Sequence, residues 1–442
     1  MASWSGQFHG GEHGRQSVLV VGIDWAKDEH QVCVVDDAGA VRVEWEIPHS
    51  APGLHSLAER LRMMAPEGDT SRILVGIEIP RGAIVDLLVE RGFGVYALNP
   101  KQMDRFRDRY FPAGSKDDRK DAFVIADALR TDRHCFREVQ VDHPIVLEIR
   151  EHVRIDDDLR EEHNRLANRM QQQLHRYFPQ LLQLSSTADE RWVLELLERV
   201  PTPEAARKLR LKTIAALLKK HRIRRIDAVD VRKALSKPDL TLAAGTREAA
   251  SKHVQLLIPR LRMVIQQRKA VRKTIEQLLE RYAEEGPLPE LREHRDVEII
   301  LSLPGVGVNV AATMLAEAQG PLERRDYRAL RAHAGIAPVT KASGRRKHGP
   351  KGRKRPKVLM RQACNGRLRN ALYHWGRVAS QRDPSTRDHY ARLRAKGHTH
   401  GRAIRGVGDR LLRILMAMLR DGTLYDPEKA NKRAISPSIE AA

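Results

Sequence analysis

Residues 17–47 read SVLVVGIDWAKDEHQVCVVDDAGAVRVEWEI, and the fold turns on them. Residues 17–23 (SVLVVGI) are a near-continuous apolar run, the pattern of a central strand buried on both faces. Residues 30–35 predict a second strand. Asp36-Asp37-Ala38-Gly39 is a turn, and residues 41–47 alternate as a third strand. Three strands joined by short loops predict an antiparallel meander. Working outward, residues 52–64 predict a helix, 73–78 a strand, 82–90 a helix, and 95–98 a strand that Asn99-Pro100 breaks. Helices follow to about Cys135. A meander followed by α/β units is the strand order of a ribonuclease-H-like fold.

The chain is 442 residues long, too long for one ordinary domain, and predicts two or three. Hydrophobic residues make up 41%, which excludes wholesale disorder, and aromatics only 5%, which argues against a base-stacking platform. Cys33, Cys135 and Cys364 lie far apart, form neither a disulfide framework nor a zinc spacing, and fit a reducing cytosol. No apolar stretch reaches the length of a membrane span. Residues 1–16 and 425–442 read as loose tails. The expectation is a soluble cytoplasmic protein with no membrane partner.

Residues 141–290 predict a helical region of coiled-coil character. Val254, Leu257, Leu261, Val264, Val271, Ile275, Leu278 and Tyr282 form a heptad seam, with Arg268 in its one skipped slot. Leu159, Leu166, Met170, Leu174 and Tyr177 form a weaker one. An antiparallel hairpin, a dimer coiled coil, or both would use these seams. Residues 185–250 predict short helices and no motif.

Net charge is +22, and residues 341–420 hold nearly all of it, with 23 Lys and Arg against 3 Asp. Between Arg345 and Lys357, 8 of 13 residues are basic: Arg345, Arg346, Lys347, Lys351, Arg353, Lys354, Arg355 and Lys357. Such a run is commonly a solvated face. An apolar helix follows it (Leu411, Leu412, Ile414, Leu415, Met418, Leu419), so a phosphate-contacting loop inside a folded, mainly helical region of 291–424 is the better reading. Leu303-Pro304-Gly305-Val306-Gly307 sits between two helical stretches, as a plain helix–helix turn or as a helix-hairpin-helix-like turn aiming N–H groups at a phosphate.

Asp24 follows the first apolar run and Glu78 ends the fourth strand. A carboxylate there costs desolvation unless it is paired or binds a metal. Asp118 and Asp121, three apart, share one helix face. The bland readings are a turn residue for Asp24 and a solvated helix start for 117–121. Taken together on this strand order, the four carboxylates suit two Mg²⁺ ions and phosphoryl transfer.

Gly22-Ile23-Asp24-Trp25-Ala26-Lys27, Gly76-Ile77-Glu78, Asn99-Pro100 and Lys116-Asp117-Asp118-Arg119-Lys120-Asp121-Ala122 resemble the DEDD motifs of an insertion-sequence transposase family. That family is similar to Piv-type DNA invertases and RNA-guided (bridge RNA) recombinases, and its amino-terminal domain resembles the junction resolvase RuvC. Leu303 to Gly307, Ala334-Gly335-Ile336-Ala337-Pro338, Ala342-Ser343-Gly344 and Leu368-Arg369-Asn370-Ala371-Leu372-Tyr373 resemble its second, serine transposase domain. The chain departs from the pattern at Asp117, where the family usually has Thr, and in Ile79 to Ala83 after Glu78.

The resemblance implies a RuvC-like domain over residues 17–140, with Asp24, Glu78, Asp118 and Asp121 as Mg²⁺ ligands and Ser343 as nucleophile. It implies donor and target DNA as substrates, a structured guide RNA, and a homodimer or tetramer. Two rivals use the same residues: a metal-dependent nuclease or junction resolvase attacking with water, and a nucleic-acid-binding protein whose carboxylates are structural.

Overall fold

The computed structural model describes residues 18–111, 117–139, 143–286, 294–341 and 357–428. Two compact units divide the chain, residues 1–141 and 142–442. No helix among the described residues is long and apolar enough to cross a membrane.

The first unit is built on a six-stranded sheet. β1 (Leu19–Trp25), β2 (Glu29–Val35) and β3 (Val41–Pro48) form the antiparallel meander. Its tight turn is closed by Asp36, whose Oδ1 accepts from the Ala38 and Ala40 amides. α1 (Ala51–Met64) then starts on the Ser50 cap with proline in its first turn. β4 (Ile73–Ile77) lies parallel to β1, α2 (Ala83–Glu90) follows, and β5 (Gly94–Ala97) lies parallel to β4. α3 (Pro100–Tyr110) and α4 (Asp118–Asp132) come next, and β6 (Arg137–Glu138) closes the edge antiparallel to β5. The order β3-β2-β1-β4-β5-β6 carries the anticipated ribonuclease-H-like arrangement. β6 had no signal, because two residues define no period and only the edge of β5 makes them a strand.

Two apolar layers hold the sheet. Leu54, Leu57 and Leu61 of α1 and Ile84 and Leu88 of α2 cover Ile23, Val32 and Ile77 on one face. Ala122, Ile125, Ala126 and Leu129 of α4 cover Val20, Cys33 and Leu74 on the other. The β1–β4 interior is thus buried on both faces, as its unbroken apolar run required.

The second unit is helical. α5 (Pro144–Tyr177) leads into α6 (Arg191–Arg199), α7 (Pro203–Arg207), α8 (Leu211–Lys220) and α9 (Ala228–Leu235), and α10 (Thr246–Glu285) returns along α5. The pair is antiparallel: Glu148 meets Arg281 at 3.9 Å, and Asp156 meets Arg268 at 3.1 Å. The heptad seam is therefore spent within the chain. Arg268, in the slot the apolar residues skip, is largely buried and takes Asp156 as its partner.

At one end of the pair, Leu166, Met170 and Leu174 pack on Val254, Leu257 and Leu261, under α6, α8 and α9. At the other, Ile149, Ile275 and Leu278 join a core with α11 (Asp296–Ser302), α12 (Val308–Glu323), α13 (Tyr327–His333), α14 (Gly366–Arg382), α15 (Pro384–Ala395) and α16 (His400–Asp421), to which α15 adds the partly buried Tyr390 and Leu393. β7 (Val339–Lys341) and β8 (Lys357–Leu359) pair antiparallel, with Lys341 opposite Lys357.

Candidate active site

α4 approaches the sheet more closely than any side chain would allow. Gly22 of β1 and Gly76 of β4 are register partners. A Cβ on Gly22 would stand 2.0 Å from the Ala122 carbonyl oxygen, and one on Gly76 would stand 2.8 Å from Ile125. Both glycines therefore face α4, and a glycine inside each strand is what lets the helix backbone close down.

Asp24 lies two residues beyond Gly22, and Glu78 two beyond Gly76. With the two-residue period of a strand, Asp24 falls toward the α4 face at the carboxyl edge of the sheet, while Glu78, expected to end the fourth strand, follows β4, which stops at Ile77. Asp24 stands inside β1 and not after it, because β1 runs on to Trp25. Both carboxylates are half-buried.

The direction of α4 brings its first turn to the same edge. Arg130, in its last turn, donates to the Asp37 carbonyl oxygen at the far end of β2, while Arg119 meets Glu44 of β3. Asp118 and Asp121 both lie in the first turn, where the helix N-terminus favours negative charge. Asp118 is exposed and Asp121 is 5% exposed. Asp117 caps the helix, accepting from the Arg119 amide at 3.1 Å.

Asp121 has a partner that sequence reasoning missed. Arg107 Nε of α3 donates to Asp121 Oδ1 at 2.6 Å, and Arg107 also meets Asp104. The Asp121 carboxylate holds the Arg107 guanidinium above its ordinary pKa. The pair spans 14 positions, and nothing in the spacing announces it.

Beside this edge, on the opposite sheet face, buried His30 bonds His49 at 2.8 Å, and its Nδ1 accepts from the Ala26 amide at 3.3 Å. Burial first, then His49, lowers the His30 pKa. The loop after Asp24 is thereby tied to β2.

No three of the four carboxylates bring ligand oxygens within 4.8 Å of one another; among the described residues Asp132, His134 and Cys135 alone meet that spacing. These are surface neighbours in sequence at the other end of α4. Carboxylate oxygens are the ligand type that a hard divalent cation takes, and here Asp24 comes from β1, Glu78 from just after β4, and Asp118 and Asp121 from α4.

Ser343, Arg345, Arg346, Lys347, Lys351, Arg353, Lys354 and Arg355 lie outside the described residues, and Lys357 opens β8. The β7–β8 pair brackets residues 342–356. The turn 303–307 joins α11 to α12. Gly305 has φ +80°, and a Cβ there would meet the Ala379 amide nitrogen of α14 at 2.7 Å. Trp375 Nε1 donates to the Pro304 carbonyl oxygen at 3.0 Å, fixing the turn on α14.

Comparison with known proteins bears on both units. The DEDD_Tnp_IS110 family model, described as a transposase, matches residues 21–179, and the model "Transposase IS116/IS110/IS902 family" matches residues 297–391. "Mini-circle putative transposase for IS117" of Streptomyces coelicolor is 32% identical over 431 residues, 95% of this chain and 97% of that protein. "Insertion element IS110 uncharacterized 43.6 kDa protein" of the same organism is 31% identical over 417 residues, 92% of this chain and 95% of that protein. "Putative transposase y4uE" of Sinorhizobium fredii is 50% identical over 207 residues, 47% of this chain and 58% of that protein.

Proposed function

The chain belongs to the IS110/IS116 transposase family, and from that premise we propose that it cuts and rejoins DNA at the ends of an insertion sequence through a serine and a metal-holding acidic edge. The observation that supports the reading is the glycine-permitted approach of α4 to β1 and β4, with Asp118 and Asp121 in the first turn of α4 and Asp24 and Glu78 two residues beyond the two glycines.

Ser343 Oγ attacks the scissile phosphorus, the bond to the 3′ oxygen breaks, and the 5′ end stays on the protein as a phosphoserine. The proton lost by Oγ is matched by the one the departing 3′ oxygen gains. A second strand's 3′-OH then reverses the step, so no high-energy cofactor is consumed. Mg²⁺, two ions held by the four carboxylates, would polarise the phosphate and lower the pKa of the attacking hydroxyl. Arg345 and Arg346 neutralise the charge that develops on the phosphate oxygens. Lys347, Lys351, Arg353, Lys354, Arg355 and Lys357 grip the backbone. A structured RNA that pairs with donor and target DNA chooses the sites, and two or four copies of the chain assemble on them in the cytoplasm.

The test separates the serine from the carboxylates. On a nicked suicide substrate, Asp24→Asn should lose strand cleavage while its melting temperature holds. Ser343→Ala should keep nucleic-acid binding and lose all covalent protein–DNA adduct. Cleavage by Ser343→Ala without adduct would make water the nucleophile, and an active Asp24→Asn protein would remove the metal role.

A further inference from the structure

A groove of about 1190 Å³ runs through the helical unit. Its walls are α5 and α10 on one side, and the 305–307 turn, the first turn of α12 and one face of α14 on the other. Eight Lys and Arg side chains line it against three carboxylates.

Two of those carboxylates are overcommitted. Asp156 is shared by Arg268 at 3.1 Å and Arg272 at 3.2 Å. Asp157 is shared by Arg160 at 3.1 Å and Arg367 at 2.9 Å. Two acids thus hold four guanidinium groups in place and leave a positive excess. Lys269, Lys273, Arg191 and Arg382 are exposed and make no ion pair among the described residues. Burial first, then Arg377 and Arg160, pushes the His374 imidazole below its ordinary pKa.

The backbone contributes to the same space. Gly307 caps α12 with no side-chain hydrogen bond, and a Cβ built there meets nothing within 4 Å. Gly307, Val308 and Asn309 line the groove, so the N-terminus of α12 borders it. The cations run along α10 at 268, 269, 272 and 273, two rows one helical turn apart, which suits repeated charges and not a single small anion. No Phe, Tyr or Trp lines the groove, so it lacks the large aromatic platform on which single-stranded bases stack.

We infer that this groove binds the sugar–phosphate backbone of a nucleic-acid duplex, without reading sequence, separately from the basic segment 345–357. The inference rests on the reading that the chain handles nucleic acid, and goes beyond it in naming where the backbone lies.

The experiment is a salt titration of duplex binding by the full chain in EDTA, where no cleavage step enters. The probes are a DNA duplex and an RNA duplex of one sequence, and scrambled versions of each. The variants are Lys269→Gln/Lys273→Gln/Arg382→Gln, all on exposed sites, and Arg353→Gln/Lys354→Gln/Arg355→Gln. Each lost phosphate contact removes about 0.9 from the slope of log K against log salt, so the groove variant should lose about 2–3 in slope. Its affinity should fall about tenfold or more, by the same factor for scrambled sequences. Combining both sets should add their losses. Wild-type slope and affinity in the groove variant, with the loss confined to the 353–355 variant, would overturn the groove and leave the proposed function standing. Failure of the wild-type chain to bind any duplex would overturn both. A drop on one sequence alone would make the groove a sequence reader and also overturn the inference.

Discussion

Gly22 sets the distance between the acidic helix and the sheet. Its missing Cβ would meet main-chain atoms of Ala122 and Ala126, which have no rotamer to yield. Gly22→Ala should cost about 3 kcal/mol or more in chemical unfolding, at the upper end of overpacking penalties. A glycine inside an otherwise apolar strand is compatible with such an approach, but in the sequence Gly22 counted as part of the apolar run, and the partner that demands it appears only in the fold. Asp24 and Glu78 were visible, because carboxylates at strand ends stand out against apolar runs. Arg107 was not visible, because its contact with Asp121 depends on how α3 and α4 cross. Removing it strands a carboxylate that is 5% exposed. Arg107→Ala should lose roughly 1–3 kcal/mol in EDTA. Mg²⁺ should then raise the melting temperature of the variant more than that of the wild-type chain, since a bound cation takes over the neutralisation of Asp121. Equal Mg²⁺ effects on both would show that Asp121 is a structural partner of Arg107 and not a ligand.

At the scale of elements, the heptad spacing of 254–282 announced a helix with one interrupted seam, and α10 has it. What fills the interruption was not readable, since Asp156 lies 112 positions from Arg268. The same holds for the short helices between the long pair. Their lengths follow from local pattern, but their packing follows from contacts such as Glu195. This α6 carboxylate accepts from Lys220 and His221 at the end of α8 and from Arg199 on its own helix. The Lys220 bond, then His221, hold its pKa down to about 2, from an ordinary 4.5. A depressed carboxyl stabilises the fold at pH values above 4.5, and that contribution disappears as pH falls toward 2. Glu195→Gln should therefore melt below wild type at neutral pH. The two melting curves should converge as the buffer is taken down through that window. A gap that persists at the acidic end would mean that Glu195 acts by packing and not by charge.

At the scale of the whole molecule, the sequence showed an α/β segment before a helical one, because the strand patterns end by Leu98 and heptad seams begin at Leu159 and Val254. It could not say whether the heptad seams join two chains or one. Either use needs the same spacing, and the choice depends on whether the intervening helices let the chain turn back on itself. They do: α5 and α10 pack along their length within one chain, and the cores at both ends of the pair draw residues from both helices. Leu261, fully buried in that seam, makes the distinction measurable. Leu261→Asp places an unpaired carboxylate among Leu166, Met170 and Val264, at a cost of several kcal/mol. A seam between chains would make that loss depend on protein concentration, since association is part of such a fold's stability. A seam within the chain makes the loss the same in dilute and concentrated solution. Leu261→Asp should accordingly lower the melting temperature by an amount independent of concentration, and light scattering should give any folded fraction the wild-type mass. A mass that falls while the melting temperature holds would instead assign Leu261 to a contact between copies.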